Sequence, residues 1–138
     1  MAARRAFTNE IDYIGAFGLP GTSFISDFDN PAGTANASAA SSPVPTRLEG
    51  NVAPGDSGGG IFVERGGVRY LVGLNSYQAS IDGATDADYG DLSGGTNLAL
   101  YYDWIFAESG ISPVLIPEPG TGVLFAFWVG AALLRRRR

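Results

Sequence analysis

Gly55-Asp56-Ser57-Gly58-Gly59 is the segment best suited to chemistry: glycines flank a serine and an aspartate, and Pro54 stiffens the entry. Such a run exposes a hydroxyl and lets backbone N–H groups come close to it, an arrangement able to hold a developing negative charge. The same residue types also make a plain turn. A serine hydroxyl needs a base to become a nucleophile at neutral pH. The 138-residue chain contains no His and no Cys, so it offers no imidazole base, no thiolate nucleophile, no disulfide and no thiolate zinc site. A second cluster, Asp82, Asp86, Asp88 and Asp91, presents oxygen ligands to a hard cation such as calcium. It lacks the regular spacing of an EF-hand loop and reads as a solvated acidic loop. Neither metal nor cofactor is expected.

The elements that must carry these residues are short strands. Twenty glycines and eight prolines argue against a helical bundle. Ile11–Phe17 and Thr22–Phe28 read as strands around the turn Gly18-Leu19-Pro20-Gly21. Pro31 to Pro45 reads as a low-complexity loop. Ile61–Glu64 and Val68–Tyr77 read as a hairpin closed by Arg65-Gly66-Gly67. Ile81 to Gly95 reads as an acidic, Gly-rich loop, Leu98–Tyr101 as a last strand, and Tyr102–Glu108 as a short helical turn. The expected fold class is all-β, followed by one C-terminal transmembrane helix.

Charge separates the body from its tail. All nine basic residues are Arg, and four of them are Arg135 to Arg138; five Arg against 14 acids leave residues 1–134 at −9. Such a body repels phosphates, so nucleic acid is excluded as a partner. Gly120 to Leu134 is a 15-residue run without charge. As a helix it would span ~22 Å of a ~30 Å hydrocarbon core, a short span helped by snorkelling arginines. The start, Met1 to Glu10, has two arginines but no apolar core behind them, so no secretion signal is read there.

Pro117-Glu118-Pro119, the apolar run about 120–134 and the Arg tail resemble the PEP-CTERM sorting signal over residues 116–138. That resemblance implies export, transit through the cell membrane with the arginines on the cytoplasmic side, and processing by an exosortase near the triplet. It also implies release to the outer surface or extracellular matrix, and a true N-terminus upstream of Met1.

Residues 1–115 carry a second resemblance. Glu49 to Val63, with Gly55-Asp56-Ser57-Gly58-Gly59 inside it, resembles the nucleophile loop and following strand of trypsin-like serine peptidases. Val72-Gly73-Leu74-Asn75-Ser76-Tyr77 resembles their next strand, and Gly94 to Leu100 with Trp104-Ile105 their closing strand and terminal helix. The resemblance implies the C-terminal barrel of a two-barrel fold, incomplete here. Ser57 would be the nucleophile of a serine-type endopeptidase, and the N–H groups of Gly55 and Ser57 its oxyanion hole. Asp56 would be a structural acid that in many members pairs with a new α-amino group. Ser76 and Tyr77 would be the strand edge that pairs with substrate, Asn51 would lie near the pocket base, and Gln78 would narrow the pocket mouth. No acid stands at the pocket base, so cleavage after Arg or Lys is not implied. The family's His and triad Asp have no counterpart. Asp12, Asp27 and Asp29 are the upstream acids considered for the triad, and each reads as a strand-end or turn residue. The chain is therefore expected to be inactive alone, with the missing N-terminal peptidase half as a partner. The alternatives are a non-catalytic surface or matrix protein reusing one barrel, and one half of a split protease.

Overall fold

The computed structural model describes residues 6–15, 21–39, 41–80, 82–84, 86–114 and 116. Its centre is one antiparallel sheet of five strands in the order β1-β2-β5-β4-β3. These are β1 Tyr13–Ile14, β2 Ser23–Asp27, β3 Gly60–Arg65, β4 Val68–Ala79 and β5 Leu92–Asn97. The all-β expectation holds: among the described residues helix is confined to a 3-10 turn at Leu98–Tyr101 and to α1, Tyr102–Ser109. The proposed sorting triplet and membrane run, residues 117–138, lie outside the described residues. Among the described residues no helix is long and apolar enough to cross a membrane.

The β3–β4 hairpin forms where its sequence places it. Gly66 and Gly67 both have positive φ, 58° and 77°, which suits a two-residue turn whose twist matches the flanking strands. The far end of the sheet departs from expectation. Leu98–Tyr101 is not a strand but the 3-10 turn, whose first N–H groups are capped by Asn97: its side chain accepts from the N–H of Ala99 at 3.0 Å. The fifth strand lies instead at Leu92–Asn97, where the stretch read as loop, ending at Gly95, overlaps the closing strand implied at Gly94 to Leu100. Its Gly94-Gly95 pair looks like a turn in the sequence but answers a packing need. A Cβ on Gly94 would overlap the Tyr77 ring, and one on Gly95 would overlap the Ile61 side chain. Similarly, the first strand is only Tyr13–Ile14 among the described residues, shorter than the run Ile11–Phe17.

The two faces of the sheet are covered unequally. On one face Ile25, Asp27 and Leu92 are buried beneath the loop that follows β2. Asp27 organises this cover: its Oδ2 accepts from the N–H of Ala37 at 2.7 Å and from the Ser41 hydroxyl at 3.1 Å. Asp12, just before β1, accepts from the N–H of Asp27 at 3.2 Å and that of Ser42 at 3.3 Å. Burial, and then the neighbouring Asp27 charge, push the Asp12 carboxyl up to about 7. These aspartates do end strands, as their sequence positions predict, but they are interior groups rather than turn residues in water. Farther along the same face, Phe62 and Leu71 pair across β3 and β4 and remain 59% and 49% exposed. The buried apolar residues among the described ones are Ile25, Val52 and Leu92.

Candidate functional site

The Gly-rich loop is pinned on both sides of Ser57. Before it, Asp56 and Ala53 bond reciprocally: the Asp56 N–H donates to the Ala53 carbonyl at 3.0 Å, and the Asp56 carboxylate accepts from the Ala53 N–H at 2.9 Å. After it, the N–H of Gly58 donates to the Asn75 carbonyl at 2.8 Å, and the N–H of Asn75 donates to the Gly59 carbonyl at 2.8 Å. Gly55 and Gly58 sit at φ 102° and 82°, backbone that a side chain would strain. The chain between these anchors turns outward, so Ser57 is exposed and its hydroxyl has no hydrogen-bond partner. The N–H groups of Gly55 and Ser57 likewise have no acceptor in the protein. Two N–H donors without a protein acceptor thus share one short loop with an exposed hydroxyl, the two kinds of group that an oxyanion-binding site requires.

Opposite the loop, β4 outruns its partner. The β3–β4 register runs from Gly60↔Leu74 to Arg65↔Val68, so Tyr77 to Ala79 pair with β5 alone. Between Asn75↔Gly95 and Tyr77↔Gly94 a bulge leaves Ser76 as the extra residue. That stretch offers a free strand edge to an extended peptide. Between edge and loop lies a cleft of about 160 Å³, lined by Val52, Ala53, Pro54 and Ser57 on one side and Asn75, Ser76, Tyr77 and Gln78 on the other. Among the described residues no carboxylate or arginine lines it.

The structure thus brings Ser57, Ser76, Tyr77 and Gln78 to one cleft, with Gly55 in the adjoining loop. Asn51 is one step back. Its Oδ1 accepts from the N–H of Val52 at 2.8 Å and from the Ser93 hydroxyl, and Ser93 lies across from Gln78 on β5. The Asn51 Nδ2, the Tyr77 hydroxyl and the Gln78 Nε2 are buried without partners. Asp56 is exposed and braces its own loop. Asn75 and Ser93 are the residues that sequence reasoning missed. Asn75 works through its main chain, which no side-chain type reports; Ser93 is 42 residues from the Asn51 it holds.

The acidic loop is mixed in character. Carboxylate oxygens of Asp86, Asp88 and Asp91 lie within 4.8 Å of one another. Asp86 and Asp88 are exposed, as expected of a solvated loop. Asp91, by contrast, is buried, and its Oδ2 accepts from the N–H of Ala87 at 3.0 Å, fixing the turn into β5. Pro117, Glu118 and Pro119 lie outside the described residues.

No protein-family model matches the chain, and no curated protein is significantly similar to it.

Proposed function

We propose that this chain is the nucleophile-bearing part of an exported, trypsin-like serine endopeptidase, a C-terminal barrel without its partner barrel. Ser57 is the nucleophile, and the N–H groups of Gly55 and Ser57 hold the tetrahedral oxyanion. The observation that carries this reading is the cleft: an exposed, unpartnered hydroxyl and two free N–H donors stand beside an unpaired strand edge at Ser76 to Gln78. An acyl-transfer site needs those three things in one place: a nucleophile, donors where charge develops, and a rail that fixes the peptide.

Chemistry stops at the hydroxyl. With no His in the chain, nothing takes the proton from Ser57 as it attacks the carbonyl. The oxyanion donors and the binding edge remain, and in this template they alone supply only ~10³–10⁴-fold over water. A second chain supplying His and Asp would complete the site. The exposed Phe62 and Leu71 favour this half-of-a-larger-fold reading over a self-sufficient surface module.

The test uses the full chain in detergent and an extended peptide boronic acid, which adds to a serine hydroxyl as a tetrahedral anion. Binding should shift the amide resonances of Gly55, Ser57 and Ser76 to Gln78, and Ser57→Ala should abolish the shift at Gly55. Binding that leaves those amides untouched would sink the assignment.

The tail belongs to the same proposal. Residues 116–138 act as an exosortase-processed sorting signal that anchors the exported chain in the membrane until cleavage. Fused to an exported reporter, they should hold it in the membrane of a host without an exosortase and release a shorter product in a host with one. Release that survives replacement of Pro117, Glu118 and Pro119 by alanine would leave the tail a mere anchor.

A further inference from the structure

Two side-chain amides at the cleft are left unused. Gln78 lines the cleft, and its Nε2 is buried without a partner. Its Oε1 has no protein partner either. Whichever way that amide is turned, Gln78 offers one donor group and one acceptor. Asn51 offers donors alone. Its Oδ1 is taken by the N–H of Val52 at 2.8 Å and by the Ser93 hydroxyl, which fixes Nδ2 as the free end, buried and unbonded.

Ser93 brings the two together. It bonds Asn51, and it is the cross-strand partner of Gln78. Directly opposed side chains lie ~4.5–5.5 Å apart at Cβ, so the two amides stand at the ends of one short chain, Asn51–Ser93–Gln78. The Ser93 hydroxyl cannot satisfy them: it donates to Asn51 and accepts from the N–H of Val52 at 3.1 Å. A buried donor without an acceptor is costly, and native interiors keep few of them. Val52, next to Asn51, lines the same cleft as Gln78.

The cleft also limits what can supply the missing acceptor. Its volume of about 160 Å³ is well under the ~300–1,000 Å³ of small-molecule sites, which leaves room for a single side chain. Residues 1–134 carry five Arg against 14 acids, and among the described residues no arginine lines the cleft. A carboxylate would therefore lose its water with no cation to balance it. An arginine or lysine side chain would bring more donors to donors. An aliphatic one would leave both amides unpaired. A primary carboxamide answers all three objections. Its oxygen accepts from the free N–H groups, its own NH₂ donates to the Gln78 oxygen, and it carries no charge.

We propose that the cleft selects a peptide residue whose side chain ends in a primary carboxamide, glutamine or asparagine, at the position whose carbonyl faces Ser57. Gln78 recognises that carboxamide, and Asn51, held in place by Ser93, adds a second donor. The inference rests on the peptidase reading and names the substrate class of the same site.

The experiment titrates the full chain in detergent with four acetylated tetrapeptide acids, identical but for a last residue of Gln, Glu, Met or Arg, and follows amide resonances. These peptides resemble cleavage products, so no turnover is needed. The terminal carboxylate of each bound peptide should shift Gly55 and Ser57. The Gln peptide should also shift the side-chain amide of Gln78 and bind about tenfold or more tightly than the other three. Gln78→Met keeps the bulk and removes both polar groups. It should lower the Gln peptide to the level of the Met peptide while the Gly55 and Ser57 shifts persist. Equal binding of the Gln and Met peptides to the parent chain, or tightest binding by Glu or Arg, would overturn the proposal and leave the peptidase reading standing. Binding by none of the four, or binding that leaves Gly55 and Ser57 unmoved, would overturn both.

Discussion

Ser57 is presented with care and given no base. The loop spends two reciprocal bonds with Ala53 and two with Asn75 to hold it outward, yet no described residue lining the cleft is a base that can take its proton. The purified chain should therefore show no turnover of fluorogenic peptides, and labelling of Ser57 by a fluorophosphonate should be very slow. Turnover abolished by Ser57→Ala would contradict this. A second prediction concerns Gly94. The Tyr77 ring occupies the space a side chain would need there, so Gly94→Ala should destabilise the fold by about 1–3 kcal/mol, the usual cost of overpacking. It should also displace Tyr77 from the cleft. Adding Tyr77→Ala should recover most of the loss in denaturant melts. Small residues made the loop at Gly55 to Gly59 stand out locally, whereas Ser76 to Gln78 were singled out only through the resemblance; the structure lines one cleft with Ser57 and those three residues. Asn75 and Ser93 were not legible because their roles exist only across the sheet.

At the scale of elements, the hairpin β3–β4 was readable: alternation and the Gly66-Gly67 turn are local, and they agree. The fifth strand was readable only through the resemblance, which puts a closing strand at Gly94 to Leu100, and not from the local sequence, which reads as loop through Gly95. Gly94 and Gly95 carry turn propensity by themselves, and only the Tyr77 and Ile61 side chains lying against them explain their place in a strand. The loop after β2 was also readable as a loop, but not its attachment. Asp12 and Asp27 bind it through Ala37, Ser41 and Ser42, and this makes the attachment sensitive to pH. Asp12 is raised to about 7 by burial and by Asp27. The folded state therefore holds a proton that the unfolded chain releases near the ordinary value of 3.8. Stability should be greatest below about pH 4 on this account and fall as pH rises towards 7, then level off. Asp29, raised to about 6 by burial and then by Asp27, Glu49 and Glu10, acts in the same direction. Urea melts in chelator from pH 4 to 8 should show the decline, and Asp12→Asn should flatten it. Stability that climbs from pH 5 to 8 would refute the sign.

For the whole molecule, the deciding quantity is the core. Among the described residues, Ile25, Val52 and Leu92 are few for a sheet of five strands, and Phe62 with Leu71 leaves an apolar strip in water. A sheet with one such face gains by covering it. The full chain in detergent should accordingly self-associate with concentration. Phe62→Thr/Leu71→Thr should suppress that association while shifting stability by no more than about 0.5 kcal/mol, since both residues are already exposed. Sedimentation velocity across a concentration series reads the difference. A monodisperse parent with a sharp, cooperative melt would mark the sheet as self-sufficient.

The strand order carries a consequence for the sequence of folding events. β3 and β4 are neighbours in the chain and can zip as soon as both exist. β2, however, lies between β1 and β5, and Ser23 pairs with Thr96. Early-made residues must wait for late-made ones, across a loop that contains the whole hairpin, and such distant closure is slow. The hairpin should thus be formed in the transition state and the β2–β5 seam after it. Substitutions at the Gly66-Gly67 turn should slow refolding, while Ile25→Val should chiefly hasten unfolding. A chain emerging N-terminus first can pair β1 with β2, but the other edge of β2 stays open until Leu92 to Asn97 have appeared, an interval in which a holding chaperone has something to hold.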